Sequence, residues 1–102
     1  MSRAAAAEVR ISEKEFQAQV VELAETFGWL VYHTYDSRRS QRGFPDLTMV
    51  RRDRVVFAEL KSDTGQPTIE QRLWMGALSE TGRVECYCWR PGDWDAVEAT
   101  LR

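Results

Sequence analysis

Apolar residues change their spacing repeatedly along this chain, and each change marks an element. Behind Ser12-Glu13-Lys14-Glu15, the residues Phe16, Val20, Leu23, Ala24 and Phe27 recur at helical intervals. The leading four residues read as a capping box, with Ser12 as N-cap and Glu15 reaching back. Gly28 suits the left-handed position that ends a helix, so the pattern predicts a helix over 13–27. The next stretch, 29–35, is aromatic and β-branched (WLVYHTY) and predicts a strand with His33 at a sheet edge.

A polar, arginine-rich loop follows over 36–43. Two short apolar runs, 47–50 and 55–60, flank Arg51-Arg52-Asp53-Arg54 and read as a tight hairpin. After the loop 62–67, Thr68-Ile69-Glu70-Gln71 is a second capping box, opening a helix over 69–80. A strand over 84–89, a Pro91-Gly92 turn and a short helix capped by Asp93 and running to Leu101 complete the chain. The predicted order is α-β-β-β-α-β-α. The helix between the third and fourth strands implies one parallel crossover. The result is an α/β fold with a mixed sheet and flanking helices. Residues 1–11 read as a flexible leader and 12–102 as a single domain.

Composition narrows the function classes. No apolar run approaches the ~18 residues that span a membrane, and no secretory signal is apparent. Two cysteines, Cys86 and Cys88, stand on one strand, where a bridge between them would be strained. They read as reduced thiols of a cytoplasmic protein. With the single histidine, His33, they are too few for a zinc centre. Net charge is −2, which excludes a generic polyanion binder. Within 38–61, however, seven basic residues face three acidic ones, a local surplus of four. Arginine forks pair with phosphate oxygens, so Ser37, Arg38, Arg39 and Arg42 are candidate contacts to a nucleic-acid backbone.

The hairpin carries the chemistry. A turn centred on Arg52 and Asp53 sets Asp46 opposite Glu59, and opposed residues of an antiparallel pair share a face. Lys61, two residues on, shares that face as well, while Ala58 and Leu60 turn into the core. Two carboxylates so placed repel each other. Mg²⁺ or Mn²⁺ would relieve the repulsion, because such ions accept one or two carboxylates together with waters and substrate phosphate. The backbone carbonyl of Leu60 could add a ligand, and Lys61 could orient water or balance developing charge. Glu59 also lies in an apolar strand, where a carboxylate needs a partner.

Gly43-Phe44-Pro45-Asp46, then Glu59-Leu60-Lys61, then Gln71 on the next helix, resembles the PD-(D/E)xK nuclease superfamily. More narrowly it resembles the VRR-NUC family of virus-type replication-repair nucleases, which is similar to Holliday junction resolvases. The resemblance runs from about residue 12 to 89. It implies a restriction-endonuclease-like α-β-β-β-α-β core. It makes Asp46 and Glu59 metal ligands, Lys61 the catalytic lysine, Gln71 a supporting residue and Glu15 an acidic contribution from the first helix, one turn before Gln19. Glu15 and Gln71 each also close a capping box, a second reason for their presence. The resemblance further implies a Mg²⁺- or Mn²⁺-dependent endonuclease acting on branched or structured DNA in repair or recombination. A homodimer and a cytoplasmic setting in a bacterial or phage-infected cell go with it, with neither membrane nor small-molecule cofactor. The alternatives are a non-catalytic nucleic-acid-binding module and a nuclease subunit that needs a partner chain.

Overall fold

The hairpin turn is made by Arg52 and Asp53, with Arg52 in the left-handed region at φ 57°. It joins β2 (Leu47–Arg51) to β3 (Arg54–Leu60), and the two pair antiparallel with Leu47 opposite Ala58 and Val50 opposite Val55. This is the register predicted from the turn, and just beyond its last pair Asp46 reaches β3 through its side chain. The computed structural model describes residues 10–35 and 40–102. The predicted leader therefore falls almost wholly outside the described residues.

β1 (Leu30–His33) pairs antiparallel with β2, and β4 (Glu85–Trp89) pairs parallel with β3. The sheet order is β1-β2-β3-β4, with the parallel step made through α2 (Ile69–Glu80). β1 is three residues shorter than predicted. Trp29 is drawn out of the strand into the core, 3% exposed, where its indole N–H donates to the carbonyl of Leu101 at 2.8 Å. A buried indole needs such a partner.

One sheet face is covered by α1 (Glu13–Thr26) and α3 (Trp94–Leu101). Phe16, Val20 and Ala24 of α1 are spaced four apart and fully buried, as are Val97 and Leu101 of α3. They pack with Leu47, Met49, Val56, Ala58 and Leu60 into one core. The Ser12–Glu15 capping box forms, and Gly28 takes φ 86° just beyond the C-cap, Phe27. Asp93 does not cap α3 with its side chain. It serves the short 3-10 turn Pro91–Asp93 instead, accepting the backbone N–H of Arg90 at 2.9 Å.

The opposite face is more thinly covered. α2 lies over it without a single buried residue, and Ile69 and Leu73 are 73% and 67% exposed. Phe44 bridges sheet and helix, meeting Phe57 and Trp74 edge-on with ring centroids 5.8 and 5.1 Å away. Among the described residues, no helix is long and apolar enough to cross a membrane.

Candidate active site

Glu59 sits on the α2 side of the central strand β3, flanked by β2 and β4. It is 1% exposed, and among the described residues neither carboxylate oxygen has a hydrogen-bond partner. A carboxylate removed from water without such partners is costly to ionise. Its pKa is pushed up to about 8, first by burial and then by the negative charge of Asp46. Lys61 opposes that rise: its Nζ stands 3.4 Å from Glu59 Oε2, with the lysine itself 9% exposed.

Asp46 precedes β2 by one residue and is held at both ends. Its carbonyl accepts the N–H of Thr34 at 2.8 Å, and its Oδ2 accepts the N–H of Leu60 at 2.8 Å. The side chain thus crosses to the strand that bears Glu59 and Lys61. The N–H of Lys61 donates to the Trp89 carbonyl at 2.9 Å, which ties the end of β3 to β4. Asp46, Glu59 and Lys61 therefore converge as the hairpin register required. The N–H of Leu60 is committed to Asp46, while its carbonyl is the group proposed from the sequence as a ligand.

Gln71 stands on the first turn of α2 and lines a cavity with Glu59. It serves the capping box as well: its Oε1 accepts the Thr68 N–H at 2.8 Å, and its own N–H donates to Thr68 Oγ1 at 3.1 Å. The cap fixes the oxygen, so the amide NH₂ is the group left for other contacts. Glu15 is placed differently. It is exposed, and its Oε1 accepts the Ser12 N–H at 3.4 Å in the first capping box. Among the described residues, no three His, Cys, Asp or Glu side chains gather as a metal cage, so Glu15 does not join Asp46 and Glu59 as a third acid.

Arg42 is exposed in the turn before Gly43, whereas Ser37, Arg38 and Arg39 lie outside the described residues. Gly43 adopts φ 93° and packs on α2 so closely that a Cβ there would fall 2.4 Å from the backbone carbon of Glu70. A side chain at this point would force loop and helix apart. The glycine thus docks the turn that carries Arg42 directly against the start of α2, beside Gln71.

Some neighbours were not legible in the sequence. Cys88 is the parallel partner of Glu59 across β3 and β4, and it lines the same cavity with Pro67, Arg72 and Met75. Burial pushes the Cys88 thiol pKa up, with Glu59 adding to the rise and Arg90 opposing the burial. Arg90 donates from Nη1 to the Ser62 carbonyl at 2.6 Å and so anchors the loop that follows Lys61. Helical spacing from Gln71 could have indicated Met75. Cys88 required knowledge of the parallel register.

No family model matches this sequence, and no curated protein matches it either. A solved structure described as a VRR_NUC domain is similar to it, with a TM-score of 0.68 and 24% sequence identity. The likeness covers 83% of this chain and 91% of that one. The element order and the mixed sheet agree with that domain, and the chain thus has the restriction-endonuclease-like α/β fold of a VRR_NUC domain.

Proposed function

We propose that this chain is a metal-dependent nuclease that hydrolyses phosphodiester bonds in DNA, acting on branched or structured substrates. The observation that carries the reading is Glu59. It is a buried carboxylate that makes no hydrogen bond among the described residues, with a second carboxylate nearby and the Lys61 ammonium 3.4 Å from Oε2. A stable fold has little reason to keep such a group unless a ligand completes it.

The donor set fits Mg²⁺ or Mn²⁺. It consists of oxygen atoms from Asp46, Glu59 and the Leu60 carbonyl, too few to enclose an ion fully. These ions keep positions for water and substrate phosphate. Bound there, the ion would neutralise the carboxylate pair, polarise a phosphate oxygen and make water more acidic. Asp46 is already oriented by the Leu60 N–H on Oδ2, which leaves Oδ1 for an ion. Lys61 presents its ammonium beside Glu59, where it can orient the attacking water and balance charge developing on the phosphate. Gln71 offers amide hydrogens from the α2 side. Arg42, on the loop docked by Gly43, reaches the backbone of the bound strand, and Ser37, Arg38 and Arg39 act with it.

A homodimer would place two such sites on two strands, as a branched substrate needs, and free thiols suit a cytoplasmic setting. The test is a cleavage assay on a four-way junction, a flap, a nicked duplex and a single strand. Wild type and Lys61→Ala are compared in Mg²⁺, Mn²⁺ and EDTA. Cutting by wild type alone, and only with metal, is the expected result. Intact substrates throughout, with junction binding retained, would assign the chain to nucleic-acid binding instead.

A further inference from the structure

Glu59 has a neighbour on each side. Asp46 approaches from the β2 side, and on the β4 side lies a cavity of about 230 Å³. The cavity adjoins Glu59 from the side of its parallel partner Cys88, under the turn of α2 that carries Gln71. Its walls are Pro67, Met75 and Cys88, all apolar or weakly polar, with Gln71 and Arg72 beside them. At this size it falls below the ~300–1,000 Å³ that encloses a drug-sized ligand. It has room for one small ring system.

The polar groups specify the occupant further. Oε2 of Glu59 faces the Lys61 ammonium, whereas Oε1 has no partner among the described residues and can accept from an N–H or O–H donor. Gln71 has its oxygen fixed by the Thr68 N–H and therefore offers hydrogens. Arg72, exposed at the same wall, supplies a positive charge. The fitting ligand has a flat body, an edge with both donor and acceptor, and an attached anion. Met75 suits such a body because its thioether side chain is flexible and polarisable.

We infer that the cavity on the β4 side of Glu59 receives an unpaired nucleobase of the strand being cut, turned out of its stack. This rests on the nuclease reading above and sharpens its substrate class. A base inside a duplex presents neither its faces nor its pairing edge, and extruding it costs a few kcal/mol, least where it is already unpaired. The cavity therefore selects DNA that is single-stranded at the cut, such as a flap or the unpaired centre of a branch. Among the described residues no aromatic side chain lines it, so the base is held by its edge and by aliphatic contact, without π-stacking.

The experiment places 2-aminopurine at successive positions of a single strand, a flap and a blunt duplex, in Ca²⁺ with substrate integrity checked on a gel. Fluorescence reports a base leaving its stack, and electrophoretic shift reports binding separately. Wild type should raise the fluorescence of one position in the strand and the flap but not in the duplex. Met75→Trp fills the cavity from a helix that has no buried residue, and Cys88→Phe narrows it from β4. Each should abolish the signal at protein concentrations where the electrophoretic shift shows the DNA fully bound. Complete binding without a fluorescence rise at any position overturns the inference, as does an undiminished rise in both variants. Cleavage of the strand in Mg²⁺ with no fluorescence response overturns the cavity assignment and leaves the nuclease reading standing. A response with no cleavage in any metal supports the cavity and removes the nuclease reading.

Discussion

Asp46 reaches across from the start of β2 and accepts the backbone N–H of Leu60, between Glu59 and Lys61 in sequence, at 2.8 Å. One carboxylate thereby fixes the strand that carries the second carboxylate and the lysine. The same contact brings negative charge to Glu59. From the sequence alone, relief of that repulsion predicts that Asp46→Ala keeps or raises the melting temperature. The hydrogen bond works the other way, since a bond to a charged group contributes ~1.5–3 kcal/mol. The two effects separate in Asp46→Asn, which keeps an acceptor for Leu60 and loses the charge. In EDTA, Asp46→Asn should melt at or above wild type and Asp46→Ala clearly below Asp46→Asn. Both should be inactive. Equal melting of the two variants would show that the Leu60 bond contributes nothing.

Stability without metal should depend on pH through Glu59. Its folded pKa, about 8, lies above the ordinary value of 4.5, so the folded state holds the proton more tightly than the unfolded chain. Below the ordinary value the group is neutral in both states and imposes no penalty. Stability then falls as pH rises from there to about 8, with a slope approaching ~1.4 kcal/mol per unit. Denaturant melts in EDTA at several pH values should show this decline, and Glu59→Gln should flatten it. Saturating Mg²⁺ should restore wild-type stability near pH 8. An unchanged slope in Glu59→Gln would place the titration elsewhere.

Gln71 closes a capping box and lines the cavity beside Glu59, and one substitution distinguishes the two roles. Glutamate serves the same box position as glutamine. Gln71→Glu should therefore hold the melting temperature but bring a further negative charge toward Glu59, lowering kcat at least about tenfold, ~1.4 kcal/mol in barrier. Thr68→Ala should do the reverse, costing ~1 kcal/mol of stability with little change in kcat. Gln71→Glu with wild-type kcat would leave Gln71 a helix cap alone.

Gly43 makes the link between the loop and α2 testable. Gly43→Ala combines a left-handed backbone with a Cβ 2.4 Å from the Glu70 backbone carbon, so loop or helix must move. A fall in melting temperature together with weaker DNA binding is expected, by ~1–3 kcal/mol in stability. Arg42→Ala should leave stability alone, weaken binding to all sequences alike and reduce the salt-dependence slope by about one. Loss of sequence preference without a change in slope would argue against a phosphate contact.

The hairpin was readable because its turn is short and its strands alternate. A two-residue tip at Arg52 and Asp53 leaves a single register, which brings Asp46 and Lys61 to Glu59. Both capping boxes were readable because they are local, satisfying backbone groups within four residues. Glu15 was read both as an acid of the site and as the close of the cap at Ser12, and that cap forms. A Glu15→Gln variant, which preserves the cap, should cleave at the wild-type rate. What stayed hidden depends on distant chain segments. Trp29 left its strand because Leu101 offers a buried carbonyl, and the cavity beside Glu59 exists only because β4 runs parallel to β3. Neither relationship leaves a periodic trace in the sequence.

The most direct measurement is a melting curve of the full chain near pH 8 with increasing Mn²⁺ or Mg²⁺, for wild type and Glu59→Gln. Binding confined to the folded state stabilises by RT ln(1 + [L]/Kd), ~1.4 kcal/mol at ten times Kd. If Asp46 and Glu59 form a divalent-cation site, wild type melts progressively higher and Glu59→Gln, already relieved of its buried charge, does not respond. Wild type indifferent to metal into the millimolar range, or Glu59→Gln shifting as far as wild type, would contradict the assignment.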